Sequence, residues 1–323
     1  MSPRLLACGL ACLLFVLASA IDARALDYPT RSIRWVVPYP AGGTTDILAR
    51  IMAQYLSERL GQSVVIENKP GGGTNIAAQA VINSPPDGYT LLLVVTSNAV
   101  NASLYRSLPF NFIRDIAPVA GFTTQPLVIV TKPSLPFKTI PEFVAHAKAH
   151  PGKVNMASFG AATISHLAIE LLKLSAGINV VHVPYRGGAP MVTDILGGLI
   201  ETGVDALPNS LPHIERGTLR ALAVTTAQRS ERVPNVPAVG ESVPDYDVSG
   251  WLGIGVPAGT PNEIIELLNR EIKAGLADPA IKAKFANLGA TATPMAAAEF
   301  GAHFTAETEK WAKVIKAAGI KPQ

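Results

Sequence analysis

From residue 32 to residue 96 the apolar positions follow two alternating rhythms. Residues 32–38 form a short apolar run of strand length. Beyond it Ile47, Leu48, Ile51, Met52, Tyr55 and Leu56 recur at helical spacing up to Gly61. Residues 63–67 give a second strand, Asn68-Lys69-Pro70-Gly71-Gly72-Gly73 a turn, and residues 76–82 a short helix that Thr74 or Asn75 can cap. Pro85-Pro86-Asp87-Gly88 then turns into residues 89–96, apolar without interruption, as suits the buried centre of a parallel sheet. Strand, helix, strand, helix, strand is the α/β pattern.

The rhythm resumes after a gap. Strands are expected at residues 127–131, 153–157, 179–183, 202–206 and 219–225, and helices at 140–149, 165–176 and 189–196. A connection with Pro234, Pro237 and Pro244 leads into a strand at 251–256, and helices follow at 263–275, 279–288 and 297–317. The expected division is lobe one at 26–127 plus 248–323 and lobe two at 128–247, joined by crossing segments near 127–131 and 249–256. Two adjacent crossings make a hinge that can absorb domain closure.

Composition narrows the class. Arg4, the apolar stretch 5–20 and the small residues of Ala23-Arg24-Ala25 have the form of a secretory leader, so residues 1–25 are expected to be cleaved near Ala25 and the mature chain to work in the periplasm. The apolar stretch is short for a membrane span, and the mature form is not expected to be membrane-embedded. Cys8 and Cys12 are the chain's 2 cysteines and both lie in that leader, which excludes thiol chemistry and cysteine-held metal afterwards. A net charge of +3 without a basic stripe argues against nucleic acid.

The candidate chemistry sits in turns between strands and helices. Tyr39-Pro40-Ala41-Gly42-Gly43-Thr44 follows the first strand, where open α/β sheets place ligands. Its glycines allow close approach, and the next helix start offers unpaired N–H groups to an anion. Asp46 there is a candidate cap or an orienting carboxylate. The loop lacks G-x-G-x-x-G and any following GK[ST], so it is not a nucleotide loop. Ser158, Gly160, Ala162, Thr163 and His166 form a second such mouth, roughly mirrored in lobe two. Asn98, Arg186 and Asp205 are further candidates, Arg186 as a planar fork for a carboxylate. His166 falls one turn inside the helix, where a satisfied interior histidine is more common than a ligand contact. No G-x-S-x-G elbow, H-E-x-x-H or close histidine spacing is present, and a Ser158–His166 nucleophile pair would lack an orienting third group, so no enzyme, metal or cofactor is expected.

These segments also carry a resemblance. VVPYPAGGTTDILAR from Val36, VIENKPGGGTNIAA from Val65, PPDGYTLL from Pro85, HVPYRGGAPMVTDILGG from His182 and LRALAVTTAQRS from Leu219, in this order, resemble the tripartite tricarboxylate transporter receptors, also called Bug proteins. The resemblance implies an α/β, two-lobed, periplasmic-binding-protein-like fold of type II with two crossing segments at the hinge. It implies a monomeric solute-binding protein that captures a small carboxylated solute between its lobes and delivers it to a two-component membrane permease. Pro40 to Thr44 and Ser158 to Thr163 would hold one carboxylate, with Asn98, Arg186 and Asp205 reading the far end. An exported enzyme or a sensory partner on the same scaffold is the alternative. The sequence departs from the family pattern at Ala162, where a second glycine is usual, and at Ala206, where an asparagine is usual.

Overall fold

A computed structural model describes residues 27–161, 163–185 and 187–322. The leader with Cys8, Cys12 and the cleavage position near Ala25, together with Ala162 and Arg186, lie outside the described residues. The chain runs through β1 (Ile33–Val37), α1 (Thr44–Leu60), β2 (Val64–Asn68), a short 3-10 turn, α2 (Asn75–Ile82), β3 (Thr90–Val95), α3 (Thr96–Leu104), α4 (Phe112–Asp115) and β4 (Ile116–Thr131). It continues through α5 (Ile140–Ala149), β5 (Asn155–Ser158), α6 (Ile164–Ala176), β6 (Val181–Pro184), α7 (Gly188–Gly197), β7 (Thr202–Ala206), α8 (Leu207–Glu215) and β8 (Arg220–Val224). The last part comprises β9 (Ser249–Pro257), α9 (Asn262–Ala277), α10 (Pro279–Asn287), β10 (Thr291–Met295) and α11 (Ala297–Ala317).

The strand order is β2-β1-β3-β9-β4-β7-β5-β6. Two groups of parallel strands, β2-β1-β3 and β7-β5-β6, are joined through β9 and β4, which run antiparallel to their neighbours. β4 serves both halves of this two-lobed fold. Its residues from Ile116 to Pro126 pair with β9, and those from Leu127 to Thr131 pair with β7 and β8. Sequence pattern predicts only the second part of this strand, because Pro118, Gly121 and Pro126 read as breaks. The structure absorbs Pro118 and Gly121 in register shifts at Pro118/Ala120 and Gly121/Thr123, as bulges do elsewhere, while Pro126 pairs in step with Ser249 where β4 changes partners.

Each half has its own apolar core. α1 buries Leu48, Met52 and Leu56, one turn apart, against Trp35 of β1 and Phe122 of β4. It ends at Gly61, whose φ of 69° suits glycine and whose N–H closes on the Ser57 carbonyl at 3.1 Å. In the other half Met156, Leu167, Ile169 and Val204 pack with Phe137 and Phe143. α11 reaches into both cores. Its Phe300 and Phe304 pack beside Trp251, while Trp311, Val314 and Ile315 join the cluster around Met156.

Two helices have no clear sequence signal. α3 begins immediately after the last residue of β3, without a glycine or proline boundary, and its Thr-Ser-Asn start resembles a turn. α8 carries Pro208 and Pro212, yet Pro208 sits in the first turn, where an N–H has no intrahelical acceptor to lose.

Candidate anion-binding cleft

A cleft of about 940 Å³ opens between the lobes at the carboxyl ends of the parallel strands. The residues that begin six helices line it: Gly43 before α1, Thr74 before α2, Val95 before α3, Thr163 before α6, Gly187 before α7 and Ala206 before α8. A helix start leaves N–H groups without intrahelical acceptors and carries the positive end of the backbone dipole. Six of them around one space contribute a positive potential from the backbone itself. Among the described residues, no Asp, Glu, Lys, Arg or His lines the cleft.

The mouth at α1 is neutral by construction. The Gly42 N–H donates to Asp46 Oδ2 at 2.9 Å, and Gly42 has a φ of 85°, a left-handed conformation that favours glycine. The same oxygen accepts from Arg50 Nε at 2.8 Å, and Asn68 Nδ2 donates to Oδ1 at 2.9 Å. Burial pushes the Asp46 carboxyl up, but the Arg50 bond, with those from Gly42 and Asn68, outweighs it and holds the group below the usual carboxylate range. Asp46 is 1% exposed, so its charge is answered inside the protein and is not presented to the cleft. No side chain caps α1. The first of its N–H groups with an acceptor beyond the helix is that of Ile47, bonded to the Gly43 carbonyl. Those of Thr44, Thr45 and Asp46 remain open.

The mouth at α6 is held from behind. Ser158 is fully buried. Its Oγ lies 2.7 Å from His182 Nε2, donates to the Gly160 carbonyl at 3.0 Å and accepts from the Gly160 N–H at 3.3 Å. His182 stacks on His166 with ring centroids 3.7 Å apart and planes 7° apart. His166 Nε2 stands 3.6 Å from Glu170 Oε1, and Lys173 pairs with Glu170 at 2.9 Å. Burial, and next the His166 ring, bring the His182 imidazole down to about 4. Thr163 caps α6 by accepting from the His166 N–H, and the N–H groups of Ile164 and Ser165 have no acceptor among the described residues.

The sequence candidates therefore fall into two layers. Tyr39, Pro40, Ala41, Gly43, Thr44 and Thr163 line the cleft. Gly42, Asp46, Asn98, Ser158, Gly160, His166 and Asp205 do not line it, and of these Asp46, Asn98, Ser158 and Asp205 are buried. Asn98 accepts from the Val95 N–H at 2.9 Å and donates to Thr74 Oγ1 at 3.1 Å, bracing a turn in which Thr74 has a φ of 82°. Asp205, 1% exposed, accepts from Asn209 and Ser210 at 2.7 Å each; burial raises its carboxyl against those bonds. A Cβ at Gly188 would meet Asp205 and Asn209 at 2.6 Å, so glycine there lets α7 start close against them.

Several lining residues carry no motif of their own. Thr45, the second residue of α1, and Ile164, the first of α6, could be found from the helix starts. Phe159 lies inside the second turn, Trp251 at a crossing. Gln125 also lines the cleft from β4, with its Nε2 buried and without a partner; only the tertiary structure singles it out.

A model of the family described as tripartite tricarboxylate transporter family receptor matches residues 48–320. Protein BugT of Bordetella pertussis is 39% identical over 316 residues, covering 95% of this chain and 96% of that protein. The solved structure of Rpa4515 from R. palustris with adipate is 36% identical with a TM-score of 0.79, covering 92% of this chain and all of that one. MatC from Rhodopseudomonas palustris with bound malate is 28% identical with a TM-score of 0.74, covering 89% of this chain and all of that one.

Proposed function

The chain belongs to the tripartite tricarboxylate transporter receptor family, and from that premise we propose how its cleft works. It is a periplasmic solute-binding protein and not an enzyme. One carboxylate of a small organic acid is held by the open N–H groups of Thr44 and Thr45 on one wall and of Ile164 and Ser165 on the other. Closure about the two crossings brings the walls together. The lobes divide at 127/128 and 247/248, close to where β4 changes partners between Pro126 and Leu127. The loaded receptor then hands the acid to a two-component membrane permease.

The observation that supports this reading most directly is the convergence of six helix starts on a described wall that carries no charged side chain. Such a wall favours an anion by dipoles and N–H donors, whose strength does not depend on a titrating group. Acids bound by solved relatives, adipate and malate, are in keeping with it. Thermal-shift screening of the mature chain tests the reading, since a ligand bound only by the native state raises the melting temperature. Mono-, di- and tricarboxylates are compared with an uncharged sugar and an amine. At least one acid is expected to raise the midpoint. A shift with the sugar or amine and with no acid overturns the reading.

A further inference from the structure

We propose that the acid selected by this cleft has a plain hydrocarbon body, aliphatic or aromatic, without hydroxyl groups along it. The inference rests on the reading above, that the cleft takes a carboxylate at its helix starts, and concerns what lies beyond that carboxylate.

An apolar strip crosses the cleft. Leu104 and Tyr105 at the end of α3, Leu127 of β4, and Phe159 and Ile164 around the second mouth all line it. Leu104 and Leu127 belong to one buried cluster, and Tyr105, Phe159 and Ile164 pack against that same cluster while remaining half-buried. The strip is therefore continuous from one lobe to the other, with apolar faces turned to the cavity. A methylene or ring laid on it leaves water favourably.

The polar side chains of the wall are largely engaged already. Thr96 Oγ1 accepts from the Trp251 N–H at 2.8 Å and lies 3.2 Å from the Trp251 carbonyl. Thr163 donates to the Gly160 carbonyl at 2.7 Å, and Thr74 accepts from Asn98. Asn101 Nδ2 donates to the Gly73 carbonyl at 2.6 Å and to Asn75 Oδ1 at 2.9 Å; the Tyr105 hydroxyl donates to the Gly72 carbonyl at 3.3 Å. Gln125, with an unpartnered buried Nε2 at the crossing, suits one acceptor at the ligand's far end, and the hydroxyls of Thr44 and Thr45, free among the described residues, sit at the first mouth, beside the N–H groups that take the carboxylate. Between the mouths, a ligand with a row of hydroxyls would bring several donors to a stretch of wall with few free side-chain partners, and each unpaired one weakens binding by about tenfold.

Matched pairs isolate this property. Calorimetry on the mature chain compares adipate with galactarate, the same diacid bearing hydroxyls on its chain, and phenylacetate with mandelate. The plain member of a pair is expected to bind at least tenfold more tightly. Phe159→Ser and Ile164→Ser, each checked for an unchanged circular dichroism spectrum, are expected to narrow that ratio. Equal or tighter binding of the hydroxylated member in both pairs overturns the inference and leaves the acid reading standing. An unchanged ratio in both variants overturns the role of the strip. Binding of a sugar with no acid bound overturns the acid reading itself.

Discussion

Ser158 shows how much of this cleft depends on residues that do not line it. A hydroxyl has one proton and two lone pairs. Donation to the Gly160 carbonyl leaves it accepting from the Gly160 N–H and from His182, which requires the proton on Nε2 of the imidazole. Ser158→Ala removes all three bonds at a fully buried position. It is expected to lower acid affinity about tenfold, the worth of about 1.4 kcal/mol, as calorimetry would register; unchanged affinity in a folded variant would mean that the loop is held without it. His182 adds a pH dependence. Its native value of about 4 lies below the ordinary histidine value of 6.5, so between those limits the unfolded chain binds more protons. The contribution is complete above pH 6.5 and is lost as pH falls towards about 4. His166, Glu170 and Lys173 are the charged or titratable neighbours that set this value after burial. Thermal melts from pH 7 to pH 4.5 should show a steeper loss in the native protein than in His182→Gln, which keeps a side-chain N–H and cannot titrate. Parallel profiles would remove His182 as the source.

At the scale of elements, close packing of strands under helices decides what each position tolerates. β9 is buried along most of its length and carries Gly253 where the Phe300 ring of α11 lies against the backbone. A Cβ there would overlap that ring. Gly253→Ala is expected to destabilise by about 1–3 kcal/mol, as overpacked cores do, measured as a lower urea midpoint at unchanged slope. β4 illustrates the opposite tolerance: Pro118 and Gly121 are accommodated because bulges shift the register instead of ending the strand. α3 matters for function although nothing local announces it. Asn98, Asn101 and Tyr105 come from this helix or its end, and together they fix the turn from Gly72 to Thr74 that forms part of the cleft wall.

At the scale of the molecule, α11 ties the halves together. Glu307 Oε2 accepts from the Trp251 indole N–H at 3.0 Å and from that of Trp311 at 2.9 Å, and its other oxygen pairs with Lys310 at 2.9 Å. Trp251 starts from a crossing strand and lines the cleft; Trp311 lies in the core around Met156. Glu307→Leu leaves two buried indole donors without an acceptor. The expected cost is about 2–4 kcal/mol, read in urea melts, with a change in the tryptophan fluorescence that accompanies ligand binding. A variant as stable as the native chain would show that α11 is held by its apolar face alone.

Local chemistry determined a good part of this protein. Helical and strand spacing marked most elements, since burial on one face or both writes its period into the sequence. Glycine turns before helices marked Gly43, Thr44 and Thr163, because a helix start is fixed by its nearest few residues. Depth is not a local property. Whether Asp46, Asn98, Ser158 or Asp205 faces a solute or the interior depends on Arg50, Thr74, His182 and Ser210 arriving from elsewhere in the fold or the next turn. The tertiary structure alone gathered six helix starts around one space and set the apolar faces of Tyr105 and Phe159 beside them. Residues this far apart in the chain share a wall only once the strands beneath them have paired.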